Sequence, residues 1–260
     1  MGEPAVSYLI CDEDTKVLFD VGYSDVFIKN ALKMNESLMD INYIVISHGH
    51  NDHTGGFIPL TKFYTEAKTE NINYIRPTII AHPDAFSYKE YNGDEIGSTL
   101  DSKKINRYFN TKLTDTPLWL TKNLVFLGEI ERINDFENID PVGQCEKSEK
   151  MIDDYLKDDS ALVYKSSKGL VIITGCSHAG ICNIIEYAKK VCKDDRILDV
   201  IGGFHLINPS ELQSKGTLHY FTQNPIKNIH PCHCTSLEYK IKLSKFSNII
   251  DIGVGLSLSY

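Results

Sequence analysis

Apolar and polar positions follow the same order twice along this chain. "AVSYLI" and "KVLFDVG" are runs rich in apolar and β-branched residues on either side of the polar "CDEDT", the pattern of a hairpin whose second strand ends at Gly22. "SDVFIKNALKM" then carries apolar residues at 27, 28, 31 and 32 behind a Ser24 or Asp25 cap, the spacing of an amphipathic helix. "INYIVIS" reads as a buried strand and "RPTIIAHP" as another. Past residue 150 the order returns. "SALVYK" and "GLVIITG" form a hairpin across "SSKG", "AGICNIIEYAKKVC" predicts a helix and "ILDVIGG" a strand. "NPIKNIHPCH" and the closing "NIIDIGVGLSLSY" predict further strands, with a helix in "SLEYKIKLSKF" between them. Two halves that each run hairpin, helix, strand predict an α/β fold, an αββα sandwich. Two mixed sheets would pack face to face with helices outside, in one domain over residues 1–260.

Between about 84 and 150 the periodicity weakens. The stretch is polar and carries one predicted strand, "NLVFLGEI". Long irregular segments in compact domains are commonly lids or binding loops, so this one is expected to be an insertion covering the active-site face.

Composition narrows the function classes. The 42% hydrophobic and 24% charged content is that of a globular protein, and no window approaches a membrane span. A formal charge of -8 is the wrong sign for a nucleic-acid partner, which needs clustered Lys and Arg. The 7 cysteines are scattered and odd in number, with no CxxC, which excludes a disulfide scaffold and a zinc ribbon. With no secretory signal visible in "MGEPAVSYLICDED", the expectation is a cytoplasmic protein.

The chemistry concentrates in "SHGHNDHTGG", Ser47 to Gly56, which holds three of the chain's 9 histidines behind a buried strand. In an extended segment side chains alternate, so His48 and His50 point to the same side and can chelate one zinc-sized ion. Asp52 and His53 follow where the chain turns toward a helix, and can face an adjacent ion. Gly49, Gly55 and Gly56 are expected to let the backbone turn tightly. Four ligands on one loop make half a site, and the rest must come from elsewhere in the chain.

This motif resembles the signature of the metallo-β-lactamase superfamily. "LFDVG", with Asp20, looks like that family's first motif, which implies a carboxylate that orients ligands from behind. The resemblance implies further ligands on later sheet-end loops: "VIITGCSHAGICN" offers His178 and "IHPCHCT" offers His233, both after apolar strands. Most binuclear members have a bridging aspartate in a "TGD" segment. Here "TGCSH" puts Cys176 in its place with His178 two residues on, so either can be the ligand, His178 being the preferred one, and the number of ions is open. His205, in "IGGFHL", is a ligand or a substrate-contacting group. His230 is expected to be an ordinary surface residue, His82 core or surface, and Cys232 and Cys234 small packed residues. Arg132, in "GEIER", either meets a substrate phosphate or pairs with Glu129 or Glu131.

The order "LFDVG", "SHGHNDHTGG", "FLGEIER", "TGCSHAGICN", "GGFHL", "HCT" is similar to one branch of the family, named for dihydropterin-ribofuranosylaminobenzene-phosphate synthase. The resemblance implies an enzyme with His48, His50 and His178 around one ion and Asp52, His53 and His233 around a second. A nitrogen-rich donor set favours Zn²⁺, with Mn²⁺ or Fe²⁺ compatible where oxygen ligands join. Such an ion lowers the pKa of bound water to about 7, so the expected activity is hydrolysis of a small phosphoester, thioester or related bond by a metal-bound hydroxide, with Asp52 and His205 in catalytic roles. The alternatives are a pterin condensation in the manner of the named branch and a non-catalytic metal-dependent ligand sensor. The expected partner is a small-molecule substrate, which can be a phosphorylated one. A di-iron reductase would want a glutamate at position 50 and a flavin domain, and a nuclease would want a basic face. Neither is present.

Overall fold

The first hairpin forms where the pattern puts it. Tyr8–Asp12 pairs antiparallel with Thr15–Phe19, Tyr8 opposite Phe19 and Asp12 opposite Thr15. The computed structural model describes residues 1–260, which divide into two compact units, Met1–Thr114 with Val142–Asp154 and Asp115–Pro141 with Tyr155–Tyr260.

In the first unit that hairpin opens a five-stranded sheet. Thr15–Phe19 pairs parallel with Tyr43–Val45, which pairs parallel with Thr78–Ala81, and Asn110–Leu113 closes the far edge. Parallel neighbours need crossover helices. Val26–Lys33 supplies one, burying Phe27, Ile28 and Ala31, and Phe57–Thr69 supplies the next, burying Phe57, Leu60, Tyr64 and Ala67. Their apolar faces meet Ile44, Ile46 and Ile79 in one cluster, with the Phe57 ring 5.6 Å from that of Phe109 and 6.0 Å from that of Phe86.

The second unit is a seven-stranded sheet. Its centre, Gly169–Thr174, is buried at every position, as a strand covered on both faces must be. On one side Ile197–Gly203, Asn228–Cys232 and Asn248–Ile249 follow in parallel. On the other side Ala161–Ser166, Leu124–Phe126 and Leu118–Trp119 run antiparallel. The helices Ile181–Cys192 and Glu211–Gln223 bury Ile184, Ile185 and Phe221 into a core with Leu170, Ile172 and Val200.

Residues 84–150 are not the irregular insertion that their polarity predicts. Lys89–Tyr91, Asp94–Glu95, Gln144–Lys147 and Lys150–Asp153 form a four-stranded antiparallel sheet of the first unit, and Ser102–Tyr108 is a helix capped by Asp101, which accepts from Lys104 N at 2.7 Å. The middle of the stretch gives the second unit its edge strand Leu118–Trp119 and, within the predicted "NLVFLGEI", the buried strand Leu124–Phe126. The strands of the four-stranded sheet are short and largely exposed, so they carry no apolar alternation to read. The closing "NIIDIGVGLSLSY" forms only the two-residue strand Asn248–Ile249. No helix is long and apolar enough to cross a membrane.

Candidate metal centre

Each unit gathers its candidate metal-ligating side chains at the carboxyl ends of neighbouring parallel strands, where open α/β sheets leave a crevice. In the first unit Asp20 follows Thr15–Phe19 and the histidine loop follows Tyr43–Val45. In the second, His178 follows Gly169–Thr174, His205 follows Ile197–Gly203 and His233 follows Asn228–Cys232.

His48 is buried and stands with its ring 4.7 Å from that of His50 and 4.2 Å from that of His53. His50, at φ -67° and ψ 151°, is the last extended residue before the helical turn Asn51–Thr54, which carries Asp52 and His53. The three imidazoles thus crowd together within one buried loop. Asp20, fully buried at φ 57°, holds them from behind. Its carboxylate accepts from Ser47 N at 2.7 Å and Ser47 Oγ at 2.8 Å, and pairs with His53 Nδ1 at 2.6 Å. That bond fixes the His53 tautomer and turns Nε2 toward Asp52, whose Oδ2 lies 3.5 Å away.

The glycines of the loop spare it the side-chain clashes that the sequence reading expects them to avoid. Gly49 has no positive φ, but a Cβ there would meet the Ala85 carbonyl oxygen at 2.1 Å, and one on Gly56 would meet Val21 O at 1.9 Å. They let neighbouring backbone press against the loop. His50, Asn51 and Asp52 also line an open cleft of about 380 Å³ with Tyr91, Ile96 and Val142, apolar wall residues that carry no motif in the sequence.

In the second unit His178 and His205 stand with ring centroids 4.2 Å apart, and His233 Nε2 lies 3.1 Å from Cys176 Sγ. Cys234 is more than packing: its Sγ accepts from His205 N at 3.3 Å and donates to Cys176 O at 3.2 Å. Burial works against a charged His205, but the Cys234 sulfur, by hydrogen bond and by its thiolate charge, and the Asp159 carboxylate outweigh it, so the imidazole is held above its ordinary value. Ser177, His205 and His233 have φ of 62°, 51° and 51°, a concentration of left-handed non-glycine residues of the kind that collects at functional sites.

One further residue differs from expectation. His230 is not on the surface. It is buried, with Nε2 2.9 Å from Asp199 Oδ2 on the neighbouring strand. Arg132 pairs with Glu129 at 4.0 Å, one of its two expected partners, and its guanidinium also donates to Asn138 Oδ1 at 2.7 Å, Ile130 O at 2.9 Å and Leu156 O at 2.7 Å. His82 is a packed residue, accepting from Asp84 N through Nδ1.

Imidazole, thiol and carboxylate donors at these loops form groups able to hold a metal ion. The set suits a borderline divalent ion rather than a hard one such as Ca²⁺, which takes six or more oxygens.

The metallo-beta-lactamase superfamily profile matches residues 2–121. A solved relative, Tm1679, described as a metal-dependent hydrolase of the beta-lactamase superfamily, superposes with a TM-score of 0.80 at 28% identity, covering 98% of each chain. An uncharacterized protein of Methanocaldococcus jannaschii is 32% identical over 96% of this chain and 90% of its own. A second protein of that organism, named 7,8-dihydropterin-6-methyl-4-(beta-D-ribofuranosyl)-aminobenzene-5'-phosphate synthase, is 30% identical over 86% of this chain and 76% of its own. The chain is an α/β protein whose loops carry groups able to hold a metal ion, and it belongs to the metallo-β-lactamase superfamily.

Proposed function

We propose that the protein is a metallo-hydrolase acting on a small phosphoester, thioester or related bond. The observation that carries this reading is the buried His48, His50 and His53 cluster, with the His53 tautomer fixed by Asp20. In this reading, which carries over what the family resemblance implies, His48, His50 and His178 hold one ion, and Asp52, His53 and His233 a second. Zn²⁺ suits these donors best. When bound, the ions supply Lewis acidity and lower the pKa of a coordinated water.

The chain's own groups then do the following. The Asp52 carboxylate, part-exposed at the cleft, takes the proton released during attack. The His205 imidazole, kept basic by Cys234, returns a proton to the leaving oxygen or sulfur. Tyr91, Ile96 and Val142 shield the cleft on its apolar side. The acidic balance of the chain favours a small molecule over nucleic acid.

A second reading rests on the 30% identical relative named as a synthase. There the same groups would assist departure of a hydroxyl from a pterin methyl carbon while an arylamine attacks. The test is metal content by plasma emission on protein purified without added metal, followed by a panel of phosphodiesters, phosphomonoesters and thioesters. Two ions per chain, with one lost in His178→Ala, and turnover of an ester support the hydrolase. No turnover of any ester, with condensation of a hydroxymethylpterin and an arylamine, replaces it with the second reading. Metal without either activity leaves a sensor.

A further inference from the structure

The segment from Ile130 to Asn138 has no catalytic group, yet it is bound more tightly to the loop around His178 than any loop contact requires. The hydrogen bonds run in sequence. Arg132 Nε donates to Asn138 Oδ1 at 2.7 Å, which settles which end of that amide is oxygen. Asn138 Nδ2 therefore faces the other way and donates to His178 O at 3.1 Å and to Tyr155 O at 3.0 Å. On the far side of the same peptide, Ala179 N donates to the buried Asp159 Oδ2 at 2.8 Å. The peptide between His178 and Ala179 is thus held at its oxygen by Asn138 and at its nitrogen by Asp159. Pinning a peptide plane at both ends fixes ψ of His178, and with it the direction in which the Cα–Cβ bond sends the imidazole.

We propose that Asn138, oriented by Arg132, is a positioning residue for His178, setting the aim of that imidazole through its main-chain carbonyl. This explains Arg132 without a substrate: its guanidinium is the far end of the brace. Metal ligands are commonly aimed by hydrogen bonds to the ring, as Asp20 does for His53. Here the same result is reached through the backbone, because the neighbour of the His178 ring is another imidazole, that of His205. The proposal rests on His178 being a ligand.

Asn138 has φ 53°, where glycine is at ease, so Asn138→Gly removes the amide without straining the backbone. Asn138→Asp keeps the acceptor for Arg132 but turns a second oxygen toward two carbonyls. The experiment measures Co²⁺ and Zn²⁺ affinity by competition with a chromophoric chelator, the visible spectrum of the Co²⁺ protein, and the thermal midpoint of the metal-free protein. Wild type, Asn138→Gly, Asn138→Asp, Arg132→Lys and His178→Ala are compared. Loss of an outer partner of a ligand typically weakens metal binding about 10- to 100-fold. The expected result is a loss of that order in Asn138→Gly, a larger one in Asn138→Asp, and a smaller one in Arg132→Lys, each with an altered Co²⁺ spectrum. Unchanged affinity and spectrum in Asn138→Gly, with or without a lower midpoint, overturn the proposal. If wild type and His178→Ala bind metal equally, His178 is not a ligand, and the metal site itself must be redrawn.

Discussion

Asp20 and His53 are joined by a 2.6 Å hydrogen bond inside the first unit, and neither side chain touches solvent. Asp20 also accepts from both donors of Ser47, so one carboxylate ties the residue before the histidine motif to the last histidine in it. Asp20→Ala leaves three buried donors without this acceptor, at about 1–3 kcal/mol each if none is replaced by water. It also places alanine at φ 57°. Asp20→Asn retains two acceptor sites on its oxygen and tolerates that φ. The expectation is a small loss of folding free energy for Asn, a severe one for Ala, and in both a metal affinity lower by about 10-fold or more. Urea titration beside a chelator competition reads the two quantities separately. Full metal affinity in Asp20→Asn would show that the His53 tautomer does not depend on Asp20.

Gly49→Ala tests the loop from its other side. The new Cβ would sit 2.1 Å from the Ala85 carbonyl oxygen and 3.1 Å from Lys89 Cε. The Lys89 stem is buried and tied to Asp154, and the carbonyl cannot shift without carrying along its helical turn, Pro83–Phe86. Overpacking of this kind costs about 1–3 kcal/mol, and here the strain falls between His48 and His50, the two proposed ligands. The variant should fold with a lower thermal midpoint and bind less metal than wild type. Gly2→Ala, where nothing lies within 4 Å, is the control and should match wild type.

What could be read from the sequence follows from how local each signal was. The histidine loop and the strands before it were legible because ligand spacing and apolar runs are local. Asp20 was legible only through the resemblance, since nothing in "LFDVG" itself points 33 residues along the chain to His53. The helix Glu211–Gln223 was missed because it buries little more than Thr217 and Phe221 and has no apolar stripe. Its start was nevertheless signalled by Ser210 and Gln213 in the S-x-x-Q spacing of a capping box, and Ser210 does accept from Gln213 N. The burial of His230 depends on which strands flank its own, and Arg132's partners lie up to 24 residues away. No local pattern encodes either.

The four-stranded sheet of the first unit encloses Lys89 and Asp154, whose Nζ and Oδ2 are 2.7 Å apart with both side chains almost wholly buried. Removing one partner of such a pair costs about 3–5 kcal/mol, because the other charge stays in a poorly solvating place. Replacing both with apolar residues of similar size costs much less. Lys89→Met and Asp154→Leu should each lower stability by that amount, and the double variant by clearly less than their sum. Additive losses in a double-mutant cycle would mean that the two charges are stabilised by other neighbours and not by each other.

Glu137 gives a pH dependence with a definite sign. It is buried at the start of the helix Ile181–Cys192, where its carboxyl accepts from Cys182 N at 3.0 Å and Asn183 N at 2.9 Å. Burial raises its pKa from 4.5 to about 6, against the pull of those two amides. The folded chain therefore holds a proton on Glu137 that the unfolded chain releases first. Its contribution is fully present below about pH 4.5 and is lost as pH rises through about 6, a difference of about 2 kcal/mol. Glu137→Gln cannot titrate. The stability difference between wild type and Glu137→Gln, from urea unfolding at pH 4.5, 5.25, 6 and 7 (pH values set about the shifted group), should change steadily across that window, wild type losing ground as pH rises. A difference that stays constant with pH would mean that the helix amides hold the carboxylate charged at all these pH values, and that burial does not govern this residue.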